Sequence, residues 1–189
     1  MTGTGRLLDP PTLDAGDLVL RELLVADAAD VARACQDEET QRWLPLPRPY
    51  TEATAKEFIT SIAPAQQRCG DGVVRAIERD GRLVGCVDLK HTDWAARTTE
   101  VGYWVAPWAR RQGVASRSAR ALSVWALTVG ELERVELLAA TGNVGSQRVA
   151  EAAGFEQEGV ARNAGYVHDG RVDLIIYSLI AADLDLAQR

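Results

Sequence analysis

A chain of 189 residues, 47% of them hydrophobic, is long enough for one domain with its own core. Its formal net charge of −6 and pI of about 5.0 argue against a general nucleic-acid binder, which would present a basic balance. Cys35, Cys69 and Cys86 form no C-x-x-C pair, so free thiols in a reducing, cytoplasmic setting are expected. The N-terminal residues lead into no apolar run of signal-peptide type, and no stretch is long and apolar enough to span a bilayer, so neither export nor a membrane partner is expected.

Residues 1–16, rich in Gly, Thr and Pro, read as a loose arm ahead of a single domain over 17–184, with 185–189 as a tail. Asp17 to Glu22 reads as a strand. Asp27 opens a helix to about Asp37 with Ala28, Val31, Ala32 and Cys35 on one face. Three prolines between Trp43 and Tyr50 break the pattern, and Thr51 suits the N-cap of a second helix to about Ser61. Val73–Arg79 and Arg82–Leu89 flank Asp80-Gly81, a strong hairpin signal. Thr98–Val105 follows as a strand that Pro107 ends, then a helix from Gly113 to Val129. A strand over Arg134–Ala140, a helix over Ser146–Ala153 and two strands, Phe155–Arg162 and Arg171–Leu179, complete the chain. This order implies a mixed α+β fold, one sheet with helices on its faces, rather than a doubly wound one.

The segment Arg110-Arg111-Gln112-Gly113-Val114-Ala115-Ser116 lies between a strand and a helix. A helix N-terminus offers free N–H groups and a positive dipole end to an anion, and Gly113 lets a phosphate approach the backbone. From Val101 to Gly130 there is no Asp or Glu, whereas Arg110, Arg111, Arg117 and Arg120 fall inside this window. The R-x-x-G-x-A pattern alone is common. Its setting is informative: Glu100-Val101-Gly102-Tyr103-Trp104-Val105-Ala106-Pro107 before it, Asn143-x-x-Ser146 and Gly154-Phe155 after it.

Together these motifs resemble the GNAT superfamily of N-acyltransferases, in particular the branch with ribosomal-protein-alanine N-acetyltransferases. The resemblance implies a GNAT-type fold, a mixed and mostly antiparallel sheet with a splayed central strand pair. It also implies acetyl-CoA as cosubstrate, wrapped at the pyrophosphate by Arg110, Arg111, Gln112, Gly113, Val114, Ala115 and Ser116. Tyr103, Trp104, Val105 and Asn143 would run beside pantetheine, and the Val105 N–H would face the oxyanion. Glu100 is the candidate base, with Asp88 as the alternative. The tyrosine that many members use as general acid is replaced by Ala150, which leaves Ser146 as the candidate donor to the sulfur, or as a mere helix cap.

Trp43 and Tyr50 are expected to wall the acceptor end. The acceptor implied is an amine: a protein or peptide N-terminus, or else an aminoglycoside or polyamine. A non-catalytic acyl-CoA-binding module on the same fold is the other alternative, and a homodimer is compatible with the resemblance. His91 and His168 lack ligand spacing, so no metal is expected.

Overall fold

The computed structural model describes residues 6–186. Eight strands form one sheet in the order β1-β2-β3-β4-β5-β6-β8-β7. They are β1 Leu13–Asp14, β2 Val19–Arg21, β3 Val73–Arg79, β4 Arg82–Asp93, β5 Thr98–Val105, β6 Arg134–Ala140, β7 Glu156–Val167 and β8 Gly170–Ile180. Every pairing is antiparallel except β5 with β6.

The turns follow from backbone chemistry. Asp80 and Gly81 both take positive φ, 52° and 76°, the pair of angles a two-residue type I′ hairpin requires. The second hairpin turns one residue earlier than Asp169-Gly170: Val167 pairs with Gly170, whose φ of 117° suits glycine.

Helices cover both faces. On one side lie α1 Ala28–Cys35, α3 Glu52–Glu57 and α4 Ala63–Arg68. Val31, Cys35, Ala55 and Ile59 pack there on Val74, Ala76 and Cys86 of the sheet. On the other side α5 Val114–Thr128 and α6 Val144–Ala152 bring Leu122, Trp125 and Ala150 onto Val87, Leu89, Val101, Val135 and Leu137. Burying one such Leu contributes about 1.5–3 kcal/mol, so both layers help hold the sheet in place.

Several expectations change. The first helix ends at Cys35, and a separate α2, Glu38–Trp43, starts because the Asp37 carboxylate accepts the Thr40 N–H at 3.0 Å. The second helix starts on its Thr51 cap but does not stop near Ser61. A π-helical turn, Phe58–Ile62, moves the Ala63 N–H onto the Phe58 carbonyl and carries the chain through Pro64 into α4.

The arm expected to be loose is held from Leu8 onward. Leu8 is buried, Gln67 donates to its carbonyl at 3.0 Å, and buried Arg75 donates to the Pro10 carbonyl at 2.6 Å. Residues 1–5 and 187–189 lie outside the described residues, while 185–186 end α7, Ala181–Leu186. Among the described residues no helix is long and apolar enough to cross a membrane, and Cys35, Cys69 and Cys86 are free.

Candidate active site

The site begins where the sheet comes apart. β5 and β6 pair only over Thr98–Glu100 with Arg134–Glu136, yet β5 runs on to Val105 and β6 to Ala140. Backbone polar groups of the diverging stretches have no strand across from them, so an amide-bearing chain can add there as a strand would. A cleft of about 950 Å³ fills this wedge. It is lined by β5 and β6, the starts of α5 and α6, α2, β4 and the β7–β8 ribbon.

One end suits an anion. Gly113 takes φ 70° and α5 starts there without a side-chain cap, so the first N–H groups of a 15-residue helix face the cleft unclaimed by any cap. Arg111, Gly113, Val114, Ala115 and Ser116 line this end, joined by Arg148 of α6. Two side chains of the segment turn to protein partners. Arg110 lines the cleft, but its guanidinium binds Asp37, Thr40 Oγ1 at 2.8 Å and the Val105 carbonyl at 3.3 Å. Gln112 points away and accepts from Arg79 at 2.7 Å. Both side chains thus have protein partners.

The middle holds Tyr103 and Ser146, whose hydroxyls are 2.8 Å apart. Ser146 is not the cap of α6, since Asn143 Oδ1 accepts the Ser146 N–H at 3.0 Å. Burial pushes the Tyr103 phenol up to about 12 although the Ser146 contact works against it. Tyr103 and Val105 lean on the α5 layer with Val101, and Trp104 leans on the opposite one.

At the far end cross-strand register gathers charge. Lys90 stands opposite Glu100 and Asp88 opposite Gly102. Lys90 Nζ lies 3.0 Å from Glu100 Oε1, and His91 Nδ1 lies 3.1 Å from Oε2, so both Glu100 oxygens are engaged. Asp88 accepts no hydrogen bond among the described residues. A β-carbon at Gly102 would sit 2.8 Å from its Oδ1, so the glycine makes room for this carboxylate. Burial raises the Asp88 pKa above 3.8, with Lys90 opposing and Glu100 adding to the shift. Burial would lower Lys90, but Asp88 and Glu100 outweigh it and hold the ammonium.

Trp43 also lines the cleft. Its Nε1 donates to Glu39 at 2.8 Å, and its ring lies 3.3 Å from where a Gly142 β-carbon would be. Tyr50 does not take part, contrary to expectation. It is 5% exposed and packs with Cys35 and Cys86 beneath the helices, because the loop between α2 and α3 folds its ring inward. His168 Nε2 instead meets the Leu46 carbonyl at 3.0 Å, joining the β7–β8 turn to that loop, and Tyr166 of β7 adds an exposed ring to the cleft.

The acetyltransferase (GNAT) domain family matches residues 17–156, most of the chain. The chain belongs to the GNAT acetyltransferase family. This acetyltransferase is 32% identical, over 94% of its length and 90% of the other chain, to a Bacillus subtilis (strain 168) protein named "Putative ribosomal N-acetyltransferase YdaF". It is 29% identical over 55% of its length to the Escherichia coli (strain K12) ribosomal-protein-serine acetyltransferase, covering 58% of that protein. Among solved structures, Mycobacterium smegmatis RimJ in complex with CoA-disulfide superposes with a TM-score of 0.83 at 24% identity, covering 95% of this chain and 96% of that one. The acetyltransferase therefore has the GNAT fold, as its motifs imply. Among the cleft residues not anticipated, Lys90, His91, Arg148 and Tyr166 sit outside those motifs. Only Lys90 had a usable signal, through its hairpin register opposite Glu100.

Proposed function

We propose that this acetyltransferase moves the acetyl group of acetyl-CoA to the α-amine of a protein or peptide N-terminus in the cytoplasm. The observation that carries the reading is one cleft with an uncapped helix start at one end, unpaired strand backbone in the middle and a partner-free carboxylate at the other. These residues fit acetyl-CoA. The Val114, Ala115 and Ser116 N–H groups meet the pyrophosphate, and Arg111 and Arg148 add positive charge. The backbone of Tyr103, Trp104 and Val105 pairs with the pantetheine amides, with Asn143 alongside. The cosubstrate supplies an activated acyl group as a thioester. The complex of RimJ with CoA-disulfide supports this choice.

The amine must lose a proton to attack, and an α-amine has a reference pKa near about 8. Asp88 takes this proton in our reading. It accepts no hydrogen bond among the described residues, lines the cleft and has its basicity raised by burial, as a general base requires. Glu100, expected as the base, holds Lys90 and His91 instead.

The charge pattern favours a single ammonium over a polycation. Of the three carboxylates lining the cleft among the described residues, Glu39 binds Trp43 and Glu100 binds Lys90, which leaves Asp88 for the acceptor. An aminoglycoside or polyamine calls for several free carboxylates. The names of two curated relatives, which refer to the ribosome or its proteins, point the same way. Thiol release from acetyl-CoA, with short peptides compared against aminoglycosides at equal concentration, tests this. Higher kcat/KM for the aminoglycosides overturns the acceptor assignment, and no release with any amine favours a non-catalytic acyl-CoA-binding module.

A further inference from the structure

Two serines of this chain occupy the same helical position and behave differently. Ser116 is the third residue after the Gly113 that starts α5, and its hydroxyl donates back to the Gly113 carbonyl at 3.1 Å. That is the ordinary local habit of serine near a helix start. Ser146 is the third residue after the Asn143 that starts α6, yet its hydroxyl meets the Tyr103 phenol at 2.8 Å. Asn143 already caps the Ser146 N–H, so the serine has no capping duty. Tyr103 comes from β5, 43 residues away in sequence, and both side chains line the cleft.

A hydroxyl has one hydrogen to donate and two lone pairs to accept with. If the Tyr103 phenol donates to Ser146 Oγ, the serine hydrogen is released toward the cleft. The phenol's alternative acceptor, the Ser146 carbonyl, is 3.4 Å away and holds it less well. Burial keeps Tyr103 protonated through neutral pH, so it remains a donor whenever the cleft holds an anion. We infer that Tyr103 is a positioning residue that turns the Ser146 hydroxyl into a hydrogen-bond donor for the coenzyme A sulfur. Tyr103 keeps its proton throughout, and Ser146 stabilises the departing thiolate by a charge-assisted hydrogen bond rather than by giving up a proton. In α6 the helix position four residues further on is Ala150, which is buried and carries no hydroxyl, so the donor group is completed from the sheet.

This inference rests on the acetyl-CoA reading, and calorimetry with coenzyme A and with desulfo-coenzyme A, which lacks the sulfur, separates the two. An alkyl thiol ionises near about 8.5, and a donor aimed at the thiolate lowers that value when the thiol is bound. Wild-type protein should bind coenzyme A more tightly as pH rises from about 6.5 to 8.5, by roughly tenfold, while desulfo-coenzyme A shows no such gain. Other groups facing the cleft also titrate or carry charge: Glu39 from α2, Asp88, Lys90 and His91 from β4, Glu100 from β5, Arg110 and Arg111 before α5, Arg148 from α6 and Tyr166 from β7. Tyr177 of β8 adds to the Tyr103 shift. Their effects are common to both ligands and cancel in the comparison.

Tyr103→Phe and Ser146→Ala should each abolish the pH-dependent gain, the double variant should lose no more than either, and all three should still bind desulfo-coenzyme A, which verifies folding. A Tyr103→Phe variant that keeps the wild-type gain overturns the inference, as does a wild type that shows no gain. Failure of the wild type to bind either ligand overturns the acetyl-CoA reading and this inference with it.

Discussion

The Arg110 guanidinium, from the turn before α5, binds the carboxylate of Asp37, the N-cap of α2. The pair links the anion end of the cleft to the helix that carries Trp43. Burial alone would raise Asp37, but Arg110 and the Thr40 N–H outweigh it and hold the carboxyl below its ordinary 3.8. A depressed carboxyl contributes stability that is present above its unfolded value and is lost as pH falls through the folded one. A double-mutant cycle on Arg110→Ala and Asp37→Asn should give a coupling of about 1–2 kcal/mol at pH 7, fading below about pH 4. Denaturant titrations at pH 7 and pH 3 check it, and equal coupling at both would contradict it.

Asp88 should show opposite effects on rate and stability. As the proposed base, Asp88→Asn should lower kcat by about 10²–10⁴-fold, and Glu100→Gln by a smaller factor. A steady-state comparison of the two variants decides between these carboxylates, and the reverse ranking returns the role to Glu100.

The raised pKa of Asp88 also fixes a sign for folding. A carboxyl whose folded pKa lies above 3.8 favours the folded state below 3.8, and that contribution disappears as pH rises through the folded value. Asp88→Asn should therefore raise Tm at pH 7 and lose this advantage as pH approaches 3.8. Thermal melts across pH 3.5–7 would read it directly.

Gly113 separates strain from occlusion. A β-carbon there would approach nothing nearer than Arg117 Nε at 3.7 Å, so Gly113→Ala has room and suffers mainly from φ 70°. It should lose about 1–2 kcal/mol of stability and keep most of its coenzyme A affinity. Gly113→Glu should cut that affinity at least about tenfold, since a carboxylate then meets the phosphates. Calorimetry on the two variants, with chemical denaturation alongside, tests both statements.

The anion end was the more legible half of the site. A glycine at a helix start within an acid-free window is a local pattern, and strand β5 fell where alternation put it, Thr98–Val105. The acceptor end was less legible because it is assembled by register. Nothing near Glu100 in sequence shows that Lys90 and His91 occupy both its oxygens. Tyr50 was misread because a Pro-flanked aromatic can face either way, and only packing on Cys35 and Cys86 decides it. The separate α2 was hidden because Asp37 looks equally like the end of one helix and the cap of the next. The Arg110 pairing was hidden for a related reason: its charge marks an anion site, while its side-chain geometry commits the guanidinium to Asp37.

The brief pairing of β5 with β6 also has a mechanical meaning. Five strands stand on one side of that seam and three on the other, and three residue pairs join them. Such a seam is the part of the sheet most ready to breathe, since few ladder bonds cross it. A pantetheine chain seated in the wedge would act as a splint, bonding to strand edges that no neighbouring strand pairs. Saturation with coenzyme A at about a hundred times Kd would stabilise the fold by about 2.7 kcal/mol. Amide hydrogen exchange should slow most at Val101–Val105 and Leu137–Ala140, so that the cosubstrate completes the sheet as well as reacting within it.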